Sequence, residues 1–442
     1  MLTGQRKAPD DTLQPLTIFA FVWASQQTFQ LTYFDEWFEN GNLLGYVFMG
    51  LTLSVMLFPG NTWLFVAMLV GSIIYFVNEW PFVVNHIFID TFLSATIVIA
   101  AVVVLGGALF TSKANEVEPR SEIHDRFSPI ATVLVILVYY VILVSKLNSG
   151  FFDPEVGCMF TMYANWQHER PILATINQFV TPQFLFYTFM VIELVLPILL
   201  TFAKTRLLGL YIGVPFHFVL GLMWHWAFSS FILALYVLIA TPAIIDLFQA
   251  VRVRVGQQMI DAAVWSIRAA IVLAALLPVL AIATGNYGVK GPFGFPVFYG
   301  MFVWLIWACF ICSITMIAVL RYHVLQGAVS EGGSTLALSA KPGWLWIVIG
   351  LVILNCLSPY VGFKTQNNSA MYSNMQTEGG RNNHFFMPVV RIFPFQDDLV
   401  EVIASTDPAI AGLRTRQARY DWNEVPQKIF VTYFEFRRAV SE

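Results

Sequence analysis

Charged residues are scarce in this chain. Asp, Glu, Lys and Arg make up 12% of its 442 residues, whereas soluble domains have about 25%. Hydrophobic residues make up 57%, and the mean hydropathy is +0.68, so most of the chain is predicted to lie in lipid. The net charge is -3 and the sequence isoelectric point is near 6.2. The lack of excess positive charge argues against nucleic-acid binding.

Cysteine is also rare, with four residues in the whole chain. Three of them lie in apolar runs, which argues against a disulfide framework, and the C-x-x-C spacing of Cys309 and Cys312 is interpreted as packing. His217 and His225 lie two helical turns apart without a third ligand nearby in sequence, so no metal site is predicted. A glycine-rich phosphate loop is missing as well.

The chain contains instead a series of long apolar runs. A helix needs about 20 predominantly apolar residues to cross the hydrocarbon core of a bilayer. Because the short run 42–58 and the division of 206–248 are less secure, we predict an all-α polytopic membrane protein with about nine to eleven transmembrane helices. The candidate spans are 13–33, 42–58, 62–79, 84–110, 128–146, 184–203, 206–223, 226–248, 263–284, 295–320 and 343–360.

The basic residues predict how the chain is oriented. If the N-terminus is cytoplasmic, twelve Lys and Arg residues fall on the cytoplasmic side and three at most on the other, as the positive-inside rule requires. The prediction is a multi-pass protein of the cell membrane, or of the inner membrane in a prokaryote, with the loop 148–183 and the C-terminal tail outside. The twelve are Arg6, Lys7, Lys113, Arg120, Arg126, Lys204, Arg206, Arg252, Arg254, Arg268, Arg321 and Lys341.

Two domains are predicted, a transmembrane helical domain (1–360) and an extracytoplasmic tail domain (361–442). The tail is polar, and apolar residues alternate within parts of it, which is typical of strands. Pro388 would place one of these strands at a sheet edge. The tail is therefore predicted to be a small β-containing extramembrane domain. The predicted strands are 385–393, 399–404 and 428–434.

Polar side chains within spans are the candidate functional residues, because such groups are costly in lipid and by default mark a function. In the predicted topology His86 and Lys146 lie at the outer ends of their helices, and Glu193 and His217 lie nearer the middle. A base, a histidine and polar partners could therefore meet in one outward-facing cavity. The candidates are Asn85, His86 and Asp90 in the fourth span, Lys146 in the fifth, Glu193 in the sixth and His217 in the seventh.

Each candidate also has a purely structural interpretation. Asn85 and His86 could cap their helix, Glu193 could be protonated and bonded to a neighbouring helix, and His217 could be a core histidine bonded to a carbonyl. The G-x-x-x-G spacing of Gly209 and Gly213 in the helix of His217 is more typical of close helix packing.

Lys146 has two interpretations of its own. Its long stem could lie in the apolar layer while the ammonium reaches the lipid headgroups. Alternatively, it could be a partly desolvated amine that acts as a base.

Four segments follow one another along the chain: NHIFI after a tryptophan-containing turn, the span ending in SKLN, E-x-x-x-P, and F-H-F running into SSFILALYVLIATP. Their order resembles the horizontally transferred transmembrane (HTTM) domain family, which is related to vitamin K-dependent gamma-glutamyl carboxylases. The resemblance covers about 10–250, and the tail stretch MYSNMQTEGGRNNH resembles bacterial members.

The resemblance implies roles for individual residues. Lys146 matches the lysine thought to deprotonate vitamin K hydroquinone, Asn85 and His86 match an Asn-His pair near that site, and His217 matches a histidine of the family's F-H segment. These four are the predicted catalytic residues, and Glu193 is predicted to bind the cofactor.

The chain also departs from the family pattern. Ser145 replaces the first lysine of a pair, Asn148 replaces an aspartate, and Leu220 stands where a polar residue is expected. The tail is far smaller than the region that holds the propeptide of the family's protein substrates. These departures weigh against protein carboxylation more than against quinol chemistry.

The activity that the resemblance implies is quinol oxidation and epoxidation coupled to carboxylation of a glutamate. Reduced vitamin K or another quinol would be the cofactor, with CO2 and O2 as co-substrates. The implied partners are membrane lipid, the quinol and a glutamate-containing peptide or protein, and no nucleic acid. A transporter that uses Glu193, His217 and Lys146 as a proton or ligand path, and a non-catalytic membrane scaffold, are the alternatives.

Overall fold

The computed structural model of the chain describes residues 14–33, 43–79, 85–110, 118–160, 162–163, 180–283, 299–326, 342–363, 368, 370–371, 373–407, 410 and 430–441. These residues are mainly helical. Much of the predicted outer loop 148–183 and four of the twelve basic residues, Arg6, Lys7, Lys113 and Lys341, lie outside the described residues.

Helices occupy each of the predicted spans. A π-helical turn, Gly221–His225, precedes the helix Trp226–Val255. A 3-10 turn, Gly343–Trp346, precedes the helix Ile347–Leu357. In chain order the helices are α1 (Pro15–Tyr33), α2 (Leu43–Leu57), α3 (Thr62–Glu79), α4 (Asn85–Phe110), α5 (Pro119–Ser145), α6 (Ser149–Phe152), α7 (Pro182–Thr201), α8 (Arg206–Leu220), α9 (Trp226–Val255), α10 (Gln257–Ala283), α11 (Tyr299–Gln326), α12 (Ile347–Leu357) and α13 (Tyr433–Ser441).

Seven helices of the described residues are long and apolar enough to cross a membrane. This supports a helical multi-pass membrane protein, because only helices and closed barrels can satisfy all backbone polar groups in lipid. Three further apolar helices are shorter: Leu43–Leu57, Thr62–Tyr75 and Gly343–Leu357. The seven are Asn85–Gly107, Pro119–Ser145, Pro182–Thr201, Arg206–Met223, Trp226–Val255, Gln257–Leu276 and Met301–Val324.

The predicted division of 206–248 is confirmed. The π-turn separates α8 from α9, and the His217 ring on α8 contacts Phe228 and Tyr236 on α9. Gly213 lies against the Tyr236 hydroxyl, and a Cβ atom there would be 2.5 Å from the hydroxyl oxygen. The second glycine of the G-x-x-x-G spacing thus packs two helices together, as its structural interpretation predicts.

The chain divides into two compact units. The first comprises Met1–Asn78, Ile89–Ile136 and Val195–Val348. Its central helix is α9, which packs against α1, α8, α10 and α11. The N-terminal part of α9 is buried on every face, which is typical of a helix that is hydrophobic all round.

The second unit comprises Glu79–Phe88, Leu137–Leu194 and Ile349–Glu442. It holds the C-terminal end of α5, α6, most of α7 and of α12, and the tail. The tail contains an antiparallel pair of strands, β1 (Leu399–Glu401) and β2 (Phe430–Thr432), at two of the predicted places.

The third predicted strand, 385–393, is wrong, because these residues pair with no strand of the described residues. Its backbone instead bonds to the loop after α12. The Val390 amide donates to the Tyr360 carbonyl at 2.8 Å, and the Ile392 amide donates to the Val361 carbonyl at 3.3 Å.

Candidate active site

Lys146 lies immediately after the last residue of α5. Its amide still donates to the Ile142 carbonyl at 3.1 Å, so the helical path continues to the base of this side chain. The chain then reverses at Asn148, whose side chain caps the short helix α6. A residue that lies between a long helix and its reversing turn is fixed by both.

Lys146 and Glu193 form a buried ion pair. The Lys146 Nζ atom lies 2.6 Å from Oε1 and 2.7 Å from Oε2 of Glu193 on α7. Both residues are buried, with exposed fractions of 4% and 8%. The Lys146 ammonium is therefore buried and contacts both oxygens of Glu193. The headgroup interpretation of Lys146 requires instead a side chain that extends outward.

A group of aromatic side chains begins next to Lys146. The Lys146 Nζ atom lies 5.2 Å from the centre of the Phe151 ring, a cation–π distance. Phe151 in turn contacts Phe186, whose ring stacks on Phe160 at 4.9 Å. We refer to Phe151, Phe152, Phe160, Phe186 and Phe385 as the aromatic cluster.

Asn148 connects the turn after Lys146 to the tail. Its Nδ2 atom donates to the carbonyls of Ser145 at 2.8 Å and Ser373 at 2.5 Å. Its Oδ1 atom accepts from the Phe151 amide at 2.9 Å and from Nδ2 of Asn383 at 3.1 Å. With four bonds in a fully buried position, this amide is satisfied as both donor and acceptor.

The tail segment, defined as 373–384, docks on the loop that carries Lys146. Asn374 donates to the Val156 carbonyl at 2.7 Å and accepts from the Cys158 amide at 2.6 Å. Nδ1 of His384 accepts two backbone bonds, which assigns the ring proton to Nε2, and Nε2 donates to the Val144 carbonyl at 2.9 Å. The stretch with the bacterial resemblance thus closes over the end of α5.

Cys158 lies beneath this segment and near Lys146. Burial raises the pKa of the Cys158 thiol to about 11, and the backbone bond with Asn374 and the charge of Lys146 oppose this increase only in part. The thiol is therefore neutral at physiological pH and a poor nucleophile.

The remaining predicted residues lie elsewhere. Asn85 and His86 form the first turn of α4, in the same unit as Lys146, and His86 is buried. His217 and Asp90 belong to the first unit. Within the second unit the structure thus joins Lys146 to Glu193. His217 is fully buried among aromatic rings, with Phe216 and Tyr236 in edge contacts.

Sequence reasoning missed the polar side chains that organise these sites. Asn374, Asn383 and His384 enter only as part of a tail stretch with a family resemblance. The available signal was weak: asparagine favours turns and tolerates the left-handed conformation, which Asn374 adopts with φ 54°. Gln26 and Gln27 were missed as partners of Asp90, although two adjacent amides within an apolar run are a detectable signal.

Comparisons with known proteins add no relative: no family model matches the chain, and no curated protein or solved structure is significantly similar to it. Among the described residues, no group of three or more His, Cys, Asp and Glu side chains could hold a metal ion.

Proposed function

We propose that this chain is an integral membrane enzyme that deprotonates a lipid-soluble quinol with Lys146, as the HTTM resemblance implies. The observation that carries the proposal is the buried Lys146–Glu193 pair beside the aromatic cluster. Buried charges are costly unless they are paired, and an ionisable pair at the end of an apolar helix is a functional-site candidate by default.

The residues around the pair suit a quinol. The rings of the aromatic cluster offer faces and edges for a flat ring. Phe152 and Phe385 are exposed by 37% and 58%, so the cluster extends from the buried amine to the surface of its unit. A lipid-soluble ligand would approach along such an apolar surface, with its hydroxyl toward Lys146.

The pair can move a proton without creating net charge. Proton transfer from the Lys146 ammonium to Glu193 along the 2.6 Å bond gives a neutral amine and a neutral acid. The amine can then accept the hydroxyl proton of the quinol, which restores the ammonium beside the new oxyanion. Total charge is conserved, and the positive ammonium stabilises the negative product.

When bound, a reduced vitamin K or related quinol would supply, with O2, the strong base that the family uses to remove a glutamate proton before CO2 is added. On this proposal Asn85 and His86 orient the quinol, Glu193 holds Lys146, and the closed tail segment limits water at the amine. The proposed role of His217, in binding a hydroxyl group or CO2, rests on the resemblance alone.

The test uses purified protein with reduced vitamin K, labelled bicarbonate and a glutamate peptide, and follows epoxide and fixed label separately. Lys146→Arg keeps the charge opposite Glu193 but does not readily deprotonate, so we expect both products to fall at least about 100-fold. Lys204→Arg, an exchange at an exposed loop residue, is the matched control.

The products separate the competing functions. Epoxide without fixed label supports a quinol oxidase that has lost carboxylation. Full turnover in Lys146→Arg contradicts the proposed base. Substrate flux in proteoliposomes, without formation of epoxide or fixed label, favours the transporter. In that case Lys146 and Glu193 would line the proton or ligand path.

A further inference from the structure

The first unit holds a buried carboxylate that the chemistry at Lys146 does not use. Asp90 on α4 is 2% exposed. Nε2 of Gln26 donates to its Oδ2 atom at 2.8 Å, and Nε2 of Gln27 lies 2.9 Å from Oδ1 and 2.8 Å from Oδ2. Oγ of Ser94 donates to Oδ1 at 3.1 Å.

The hydrogen-bond partners that the structure gives Asp90 are all neutral. An ionised carboxylate in an apolar interior is normally paired with a cation or protonated. Here three side chains donate to the ionised form while burial in an apolar unit favours the neutral acid. Because hydrogen bonding and burial act on Asp90 in opposite directions, both its ionised and its neutral form are accessible.

The hydrogen-bond donors around Asp90 favour the binding of a proton over that of a metal ion. Hard cations such as Ca²⁺ and Mg²⁺ require several oxygen ligands, but the side-chain atoms bonded to Asp90 are two amide nitrogens and one hydroxyl oxygen, all of them donors. A proton needs no further ligand, because it binds to the carboxylate oxygen itself.

A chain of side-chain bonds leads away from Asp90. Oε1 of Gln26 accepts from Nε2 of Gln30 at 3.3 Å, and Nε2 of Gln30 donates to the Ala227 carbonyl at 3.1 Å. The same carbonyl accepts from Oγ of Ser230 at 2.7 Å. Ala227 lies in the first turn of α9, directly after the π-turn, and π-turns occur frequently at functional sites.

Titratable groups lie on several helices around this chain of bonds, although α1 and α2 themselves contain no Asp, Glu, Lys, Arg or His. On α4, His86 lies one turn before Asp90, and His225 is the residue before α9. Further along α9, Asp246 lies 3.3 Å from Arg321 of α11.

Two further helices contact α1 and carry charged groups. Arg268 of α10 lies over the Phe21 ring of α1 at 6.0 Å. The helix α5 contacts Phe19 of α1 through Phe127 and carries His124, Asp125 and the Glu122–Arg126 ion pair. The pH response of the bonds that lead from Asp90 is expected to come from Asp90, with His86, His124 and His225 as the neighbouring groups.

We propose that Asp90 is a proton-binding site within the first unit, and that Gln26 and Gln30 transmit its charge state to the π-turn and the start of α9. This inference is independent of the quinol chemistry proposed at Lys146. Protonation of Oδ2 would convert an acceptor of Gln26 and Gln27 into a hydroxyl donor. The Gln26 amide would then reorient, which would change the bond that it shares with Gln30.

Infrared difference spectroscopy tests the binding step. Purified protein in lipid nanodiscs is titrated from mildly acid to mildly alkaline pH, and the carbonyl band of a protonated carboxyl group is followed. We expect this band to disappear as pH rises in the natural chain and to be absent from Asp90→Asn. Asp246→Asn is the matched control, because Asp246 is paired with Arg321, and it should keep the band.

A second variant covers the case in which Asp90→Asn does not fold. Gln27→Leu removes the amide that bonds both oxygens of Asp90, so the band should persist about one to two pH units higher than in the natural chain. Identical spectra from the natural chain, Asp90→Asn and Gln27→Leu would overturn the proposal.

Hydrogen exchange at a single alkaline pH tests the coupling step. Asp90→Asn mimics the neutral acid, so exchange of the amides in 221–230 should differ at least about threefold from that of the natural chain. Adding Gln30→Leu to both should abolish the difference. If the natural chain and Asp90→Asn exchange at equal rates, the proposed coupling is overturned, and the charge of Asp90 does not affect the π-turn.

Discussion

Lys146 and Glu193 depend on each other energetically, because each is the counter-ion of the other in a buried position. Lys146→Met or Glu193→Leu alone should lower the free energy of unfolding by about 3–5 kcal/mol, since one buried charge loses its partner. The double variant should lose much less than the sum. Thermal unfolding in detergent gives the stability of the natural chain, the two single variants and the double variant. A double variant whose loss of stability equals the sum of the two single losses would contradict the pairing.

Asn148 can donate to two carbonyls only because it is an amide. Asn148→Asp places a carboxylate oxygen against the Ser145 and Ser373 carbonyls and should cost at least about 2 kcal/mol. Asn61→Asp is the matched control. Its Oδ1 atom only accepts, from the amides of Trp63 and Leu64, so an aspartate can replace it at the start of α3.

Unfolding midpoints decide between these outcomes. Equal stability of the two aspartate variants would show that the Asn148 amide is not needed as a donor. The comparison also explains the residue type at position 148, because the bonds to the Ser145 and Ser373 carbonyls need a donor that a carboxylate lacks.

At the scale of elements, the tail segment is expected to protect Cys158. Asn374→Ala removes the bonds to Val156 and Cys158 and places alanine at φ 54°, which costs about 1–2 kcal/mol more. Exposure would return the thiol pKa from about 11 toward its ordinary 9.0, and the thiolate fraction near neutral pH would rise about 100-fold.

Maleimide labelling measures this effect in proteins whose other three cysteines are changed to serine. The rate at Cys158 should be low in the otherwise natural chain and higher in Asn374→Ala. Asn382→Ala, which alters an exposed amide of the same segment, serves as the control and should leave the rate low.

The contact between α8 and α9 depends on the absence of a side chain at Gly213. Gly213→Ala brings a methyl group within 2.5 Å of the Tyr236 hydroxyl and should destabilise the protein by about 1–3 kcal/mol. Gly106→Ala on α4, where nothing lies within 4 Å, should be neutral or stabilising.

Tyr236→Phe removes the closest atom and should recover part of the loss in Gly213→Ala. The thermal midpoints of the three proteins measure this. Because Tyr236 also contacts His217, the same variants report whether a shift of the Tyr236 ring alters the proposed quinol turnover.

At the scale of the whole molecule, the helices were predictable because a long run without charge has few alternatives to a helix in lipid. The extent of α5 was not, since it begins at Pro119, well before the predicted 128. Pro suits the first helical position, and the Glu122–Arg126 ion pair one turn apart supports a polar extension of the helix.

The sites were less predictable than the helices. Lys146 and Glu193 were each recognised as costly in lipid, but their contact joins residues 47 positions apart, and the bond between Asn374 and Cys158 joins residues 216 apart. Periodicity within a helix carries no information on such pairs. Asp90 was recognised by its charge, whereas its neutral partners Gln26 and Gln27 give a weaker signal.

The asymmetry of basic residues predicts the orientation of the whole chain in the membrane. Introduced cysteines at Lys204, between α7 and α8, and at exposed Phe386, in the tail, test it in a chain without its natural cysteines. A membrane-impermeant maleimide added to intact cells should label Phe386→Cys, whereas Lys204→Cys should be labelled only after permeabilisation. The reverse pattern would invert the topology. It would also place the Lys146 site, with its tail segment, at the cytoplasmic face, so the proposed quinol and glutamate substrate would have to be supplied from inside the cell.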